Sequence, residues 1–130
     1  MKVRYPVIAG ILLLVAHAIL SPLLLYVQYP VLDIPMHFTG GFIAAWFFAA
    51  YFKNEQIKIS KIAGIVIIIG GTAIVGVAWE WMEWIVDNVF LPNHPFMGGL
   101  DDTLLDLVMD LLGGAVIAFI AGRRRGTMGS

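Results

Sequence analysis

Hydropathy divides the chain into four long apolar stretches, separated by short polar or proline-bearing segments. The stretches cover residues 5–27, 35–52, 62–86 and 103–121. A bilayer crossing needs about 20 apolar residues at ~1.5 Å rise each. All four reach that length, the second only just. Runs this rich in Leu, Ile and Val must be helical in lipid, because hydrocarbon cannot satisfy an open strand edge. Pro22 is expected to kink the first span near its exit, since proline removes a backbone donor. Residues 53–61 alternate polar and apolar side chains and read as a short interfacial connection. The pattern predicts an all-α polytopic membrane protein. It is expected to be a four-transmembrane-helix bundle, with one domain over residues 1–125 and a flexible tail at 126–130.

Composition agrees. The chain is 60% hydrophobic and 13% charged, whereas a soluble domain averages about 25% charged. Mean hydropathy is +0.89. A net charge of −1 argues against a nucleic-acid partner. With no cysteine, disulfides, thiolate metal sites and thiol nucleophiles are excluded. The apolar run after Met-Lys-Val-Arg continues past Ala16 and Ala18, where a signal peptide would be cut, so it reads as an uncleaved first span. Lys2 and Arg4 precede the first span. Lys53, Lys58 and Lys61 lie between the second and third, and Arg123, Arg124 and Arg125 follow the fourth. All eight basic residues therefore share one side of an even-numbered topology. The positive-inside rule makes that side cytoplasmic, with both termini inside a multi-pass protein of the plasma membrane.

Against this apolar background the acids stand out. W-E-W-M-E-W-I-V-D carries Glu80, Glu83 and Asp87, and D-D-T-L-L-D-L-V-M-D carries Asp101, Asp102, Asp106 and Asp110. A charged side chain at the bilayer centre costs about 2.5–3.5 kcal/mol on insertion scales, so intramembrane acids mark functional sites by default. Helical spacing at about 100° per residue places Glu80, Glu83 and Asp87 on one face, with Gly76 beside them. Asp102, Asp106 and Asp110 recur every four residues. His37 shares its face with Gly40, Gly41 and Ala44, and Gly113 and Gly114 follow Asp110 by one turn. Small residues beside polar ones allow helices to approach closely. His37, Glu80, Glu83, Asp106 and Asp110 are thus expected to line one pocket in the outer half of the bundle.

Carboxylates with one or two imidazoles form a hard ligand set, suited to Mg²⁺, Mn²⁺ or Ca²⁺, with Zn²⁺ admitted through His37. The expected metal ligands are His37, Glu80, Glu83, Asp106, Asp110 and Asp102, with Glu80 as the candidate general base. Shared protons among crowded carboxylates are the rival way to offset the charge. Asp101 and Asp102 also suit the N-terminus of the fourth helix as caps, while Asp33 and Asp87 read equally well as loop acids. His17 reads as an interhelical donor or a second imidazole ligand, and His94, between Pro92 and Pro95, as a solvated loop residue. Trp79, Trp81 and Trp84 read as an interfacial aromatic belt.

The order D-I-P-M-H-F-T-G-G-F, E-W-M-E-W, D-D-T-L-L-D-L-V-M-D-L-L-G-G resembles small membrane proteins of the YjdF type. These are distantly similar to VanZ-like proteins associated with glycopeptide resistance. The matching positions are Asp33, His37, Glu80, Glu83, Asp102, Asp106, Asp110, Gly113 and Gly114. The resemblance implies a functional acid/His set but no established chemistry. Gly98, Asp102 and Asp106 also reproduce the second half of the CDP-alcohol phosphatidyltransferase motif, whose first half is absent.

Three functions follow as expectations. The first is a metal-binding membrane protein, acting as a hydrolase or transferase on a lipid-linked substrate. The second is an ion- or proton-coupled transporter. The third is a non-catalytic resistance protein that binds lipid or glycopeptide. The expected partners are the bilayer itself, a lipid-linked substrate and a second copy of the chain in a homodimer.

Overall fold

A computed structural model describes residues 2–20, 28–90 and 98–126. Every regular element among them is helical: α1 (Arg4–Leu20), a single 3₁₀ turn (Pro30–Leu32), α2 (Asp33–Tyr51), the short α3 (Lys53–Lys58), α4 (Lys61–Ile85) and α5 (Leu100–Gly126). A π turn (Val86–Phe90) prolongs α4. The segment expected to be an interfacial connection forms α3. The expected Pro22 kink, the solvated His94 with Pro92 and Pro95, and the tail from residue 127 onward lie outside the described residues.

Local chemistry explains the helix starts. Ser60 is the N-cap of α4, and its Oγ accepts the Ala63 N–H at 3.1 Å. Pro35 lies in the first turn of α2, where its missing N–H costs nothing. At α5, Gly99 adopts a φ of 115° that a residue with a Cβ rarely takes. Asp102 then reaches back so that Oδ2 accepts the Gly98 N–H at 3.2 Å, in the manner of a capping box.

The four long helices run up, down, up, down. Gly10 faces Ile43 and Gly40 faces Leu13, so α1 and α2 are antiparallel. Phe48 lies against Gly71, and Gly76 and Gly114 lie against Asp110 and Thr72, which sets α4 antiparallel to both α2 and α5. α2 and α5 run side by side and form the most extensive interface, α4 leans on both, and α1 attaches mainly through α2. The start of α4 meets the end of α5, with Lys61 against Gly122. Basic residues thus gather at one end of the bundle and the acid-bearing segments at the other. The apolar core (Ala45, Ala49, Ile68, Ile117, Ala118) fills the basic end.

The α2–α5 contact is a glycine crossing. A Cβ on Gly41 would collide with the Asp110 backbone carbonyl, and one on Gly113 with the Phe38 carbonyl. The backbones approach this closely only because both helices lack side chains there.

The distribution of polarity is inside-out for a soluble protein. Asp106 and Asp110 are 2% and 5% exposed, while Leu112 on the same helix is 49% exposed and Ile74 of α4 71%. Apolar surface turned outward around buried acids is what a lipid solvent selects. The Lys61–Phe90 and Leu100–Arg123 stretches are long and apolar enough to cross a bilayer, each holding an 18-residue window of mean hydropathy 2.3 and 2.2 respectively. The described part of α1 is shorter, at 17 residues. The architecture is therefore the helical membrane bundle that the sequence predicts.

Replacing Gly41 or Gly113 by leucine should cost about 3 kcal/mol or more, or abolish folding, because backbone rather than a mobile side chain blocks the added group. Gly70→Leu, at a position with nothing within 4 Å of an added Cβ, should leave stability near wild type. Thermal unfolding of detergent-purified protein, followed by size-exclusion chromatography, checks both outcomes.

Candidate functional site

Three helices bring the cluster together at the acid-rich end. α2 supplies His37 from its second turn, α4 supplies Glu80 and Glu83 near its end, and α5 supplies Asp106 and Asp110. All five are buried. The Gly41 crossing presses α2 onto α5 at Asp110 itself. Gly76 of α4 meets the same carboxylate, where an added Cβ would lie 2.5 Å from Oδ2. Asp110 is thus wedged between two glycines and has little freedom to turn.

His37 is the hub. Its Nδ1 lies 3.5 Å from Asp110 Oδ2. Its Nε2 faces Asp33 Oδ1 at 3.6 Å and Asp106 Oδ2 at 3.8 Å. Carboxylates therefore flank both ring nitrogens. If Asp110 accepts the Nδ1 proton, the tautomer is fixed and the Nε2 lone pair points between Asp33 and Asp106, as in carboxylate–histidine–metal triads. If both nitrogens are protonated, one imidazolium bridges three acids.

His37 and Asp110 are 73 positions apart in the sequence, and the fold gathers His37 and its neighbours into two potential ligand sets. Asp33, His37 and Asp106 form one, and His37, Glu80 and Glu83 the other. Within each set the ligand atoms lie within 4.8 Å of one another. Among the described residues, buried Glu80 Oε1 and Asp106 Oδ1 have no hydrogen-bond partner. An unpaired buried acceptor costs roughly 1–3 kcal/mol, so these oxygens are available for a cation or a proton. Thr103 Oγ1 is also buried and lines a second pocket, of about 510 Å³, together with Glu80. Thr39 is exposed. Five carboxylates, counting Asp33, surround one imidazole, and every Lys and Arg of the described bundle belongs to the other end.

Asp102, a candidate ligand by its spacing, turns its carboxylate to Gly98 and lies outside both sets. Asp101 is exposed on the first turn of α5, and Asp87 lies half-buried in the π turn. Asp33 is a member that its loop-acid reading understates. Its i,i+4 spacing to His37 on a helix is the signal, since such residues share a face. Trp79 departs from the belt expected of the three tryptophans. Its Nε1–H donates to Glu83 Oε1 at 2.9 Å, and its ring meets the His17 edge at 4.8 Å between centroids. Trp81 and Trp84 face outward, as a belt requires. His17 accordingly reaches α4 as an interhelical contact.

A cavity of about 390 Å³ opens beside the cluster, between α1, α2 and α4. Asp33, His37 and Asp110 form part of its wall.

Comparison with known proteins places these features in a family. An uncharacterized protein of Thermotoga maritima is 34% identical over 91 residues, covering 69% of this chain and 47% of that protein. The chain thus spans about half the length of the curated relative that it matches. No solved structure matches. Residues 3–127 match the family described as "Predicted membrane protein (DUF2238)", and with nearly the whole chain inside that match, the protein belongs to this membrane-protein family.

Proposed function

We propose that the cluster binds a divalent metal ion, with His37 Nε2 and the Asp33 and Asp106 carboxylates as its core ligands. The observation that carries this reading is the two-sided environment of His37. Asp110 occupies one ring nitrogen and leaves the other aimed at two acids, one of which has an unpartnered oxygen. Glu80 and Glu83 complete the shell or remain outside it. Oxygen-rich ligands favour Mg²⁺, Mn²⁺ or Ca²⁺, and the imidazole admits Zn²⁺. The chemistry suited to such an ion is polarisation of a phosphoryl or carbonyl oxygen on a lipid-linked substrate, in a hydrolase or transferase. Glu80, with a free buried oxygen, is the candidate base.

Ion or proton transport is less well supported. Towards the basic end the described core beyond the cluster is Ala45, Ala49, Ile68, Ile117 and Ala118, which offers no ionisable relay. The resistance reading rests on the VanZ-like resemblance alone. The proposed setting is the plasma membrane, with both termini cytoplasmic and the cluster in the outer half, since all basic residues fall at the opposite end.

Elemental analysis of protein purified without chelator should find one divalent ion per chain. Asp106→Asn and His37→Gln should lose it, Asp110→Asn should weaken binding about 10–100-fold by releasing the histidine, and exposed Asp101→Asn should retain it. Intact, monodisperse wild-type protein that stays metal-free after incubation with Mg²⁺, Mn²⁺, Ca²⁺ and Zn²⁺ would overturn the proposal.

The absence of cysteine makes topology directly testable. In intact cells a membrane-impermeant maleimide should label Asn88→Cys, and should label Asn54→Cys only after permeabilisation. The reverse pattern would invert the orientation.

A further inference from the structure

The cavity between α1, α2 and α4 has a polarity gradient that the metal site does not explain. Over most of its length the walls are hydrocarbon: Val7 and Gly10 from α1, Ile43 and Phe47 from α2, and Val75 from α4. Polar groups gather at one end only, where Asp33, His37 and Asp110 turn towards it. From Pro6 to His17 the cavity follows α1 for about 16 Å at ~1.5 Å per residue, roughly half of a ~30 Å hydrocarbon core.

Its boundary is also unusual. α1 packs chiefly on α2, and only Pro6 of this helix is buried. Contact between α1 and α4 is sparse and includes the His17–Trp79 ring contact beside Glu83. The wall between these two helices is therefore thin along the apolar stretch and bridged at the polar end. In a bilayer that gap faces acyl chains. Glycines keep the space open. An added Cβ at Gly10 would be 3.7 Å from Ile43, and one at Gly40 would be 3.7 Å from Leu13. These are ordinary contacts, so alanine fits and a bulkier side chain must project into the cavity.

We infer that this cavity holds the hydrocarbon chain of a single-chain lipid phosphate, inserted through the α1–α4 gap with its phosphate at the acid/His cluster. The occupant follows from complementarity. A hydrocarbon wall ending in a hydrophilic site matches an amphiphile. About 390 Å³ lies at the lower end of small-molecule pockets, which suits one chain rather than a pair. The headgroup assignment rests on the metal reading above. Carboxylates alone repel an anion, whereas a hard divalent ion among them offers a phosphate oxygen a ligand position. α1 thereby forms the fourth wall of a lipid site.

The test uses the full chain in detergent with Mn²⁺ and a lysophosphatidic acid carrying a diazirine at the end of its acyl chain. Photolysis and peptide mass spectrometry should place the label on residues 7–10 and 47–48. Gly10→Phe, or Val75→Trp on the facing wall, should lower that labelling about tenfold or more without changing manganese content, while Gly10→Ala should preserve it. Labelling spread over outward-facing residues such as Ile74 and Phe119, equal in wild type and Gly10→Phe, would overturn the lipid site even with metal bound. Labelling confined to the cavity, but unchanged in a metal-free Asp106→Asn variant, would support the chain site and overturn the metal-held phosphate.

Discussion

The structure depends on the place where α2 and α5 touch backbone to backbone. Gly41 lies on the Asp110 carbonyl and Gly113 on the Phe38 carbonyl. Neither contact tolerates a side chain, so the glycines set the distance, the crossing and the register together. His37 lies one turn before Gly41, and Asp110 is the residue against which Gly41 packs. Histidine and acid are therefore held together by main chain, which is stiffer than any side-chain contact. Gly76 presses α4 onto the same carboxylate and brings Glu80 and Glu83 one and two turns further along. In lipid there is no hydrophobic force between helices, so close packing of small residues must supply the association.

The second constraint is charge. Five carboxylates and one imidazole share a buried volume in a bundle whose outer surface is apolar. Separation of function along the bundle axis follows. The basic end is packed with alanine and isoleucine and can be a rigid anchor. The acidic end carries unpartnered oxygens and a cavity, and is the less self-sufficient half. Cation binding would convert that internal repulsion into coordination, and membership of a membrane-protein family fits a site built to work against lipid.

Much of the fold is legible along the chain because lipid simplifies the problem. Long apolar runs can only be helices. α4 and α5 begin within a few residues of the expected spans, since Ser60 and the Gly98–Asp102 turn are local start signals. Four of the inward acids and the histidine were legible too, because 3.6-residue periodicity places Glu80, Glu83, Asp106, Asp110 and His37 on faces rich in glycine. Asp33 was less so: it sits at a helix end, where sequence cannot tell a loop acid from the first helical turn. Trp79 was hidden for a different reason. Its neighbours Trp81 and Trp84 share its composition but not its direction, and only the 2.9 Å bond to Glu83 separates an interior tryptophan from a belt.

Sequence alone determined what is local or one-dimensional: four apolar spans, their alternating direction, the helix caps, and which side chains share a helical face. Tertiary structure decided what depends on rotation and distance between helices. It chose Asp110 for the Nδ1 side of His37 and Asp33 and Asp106 for the Nε2 side. It left α1 apart from α4 along a hydrocarbon-lined cavity. The reason is that a periodic pattern fixes a residue's angle about its own axis but carries no information on the angle of its neighbour. That angle is settled only where glycine lets two backbones meet.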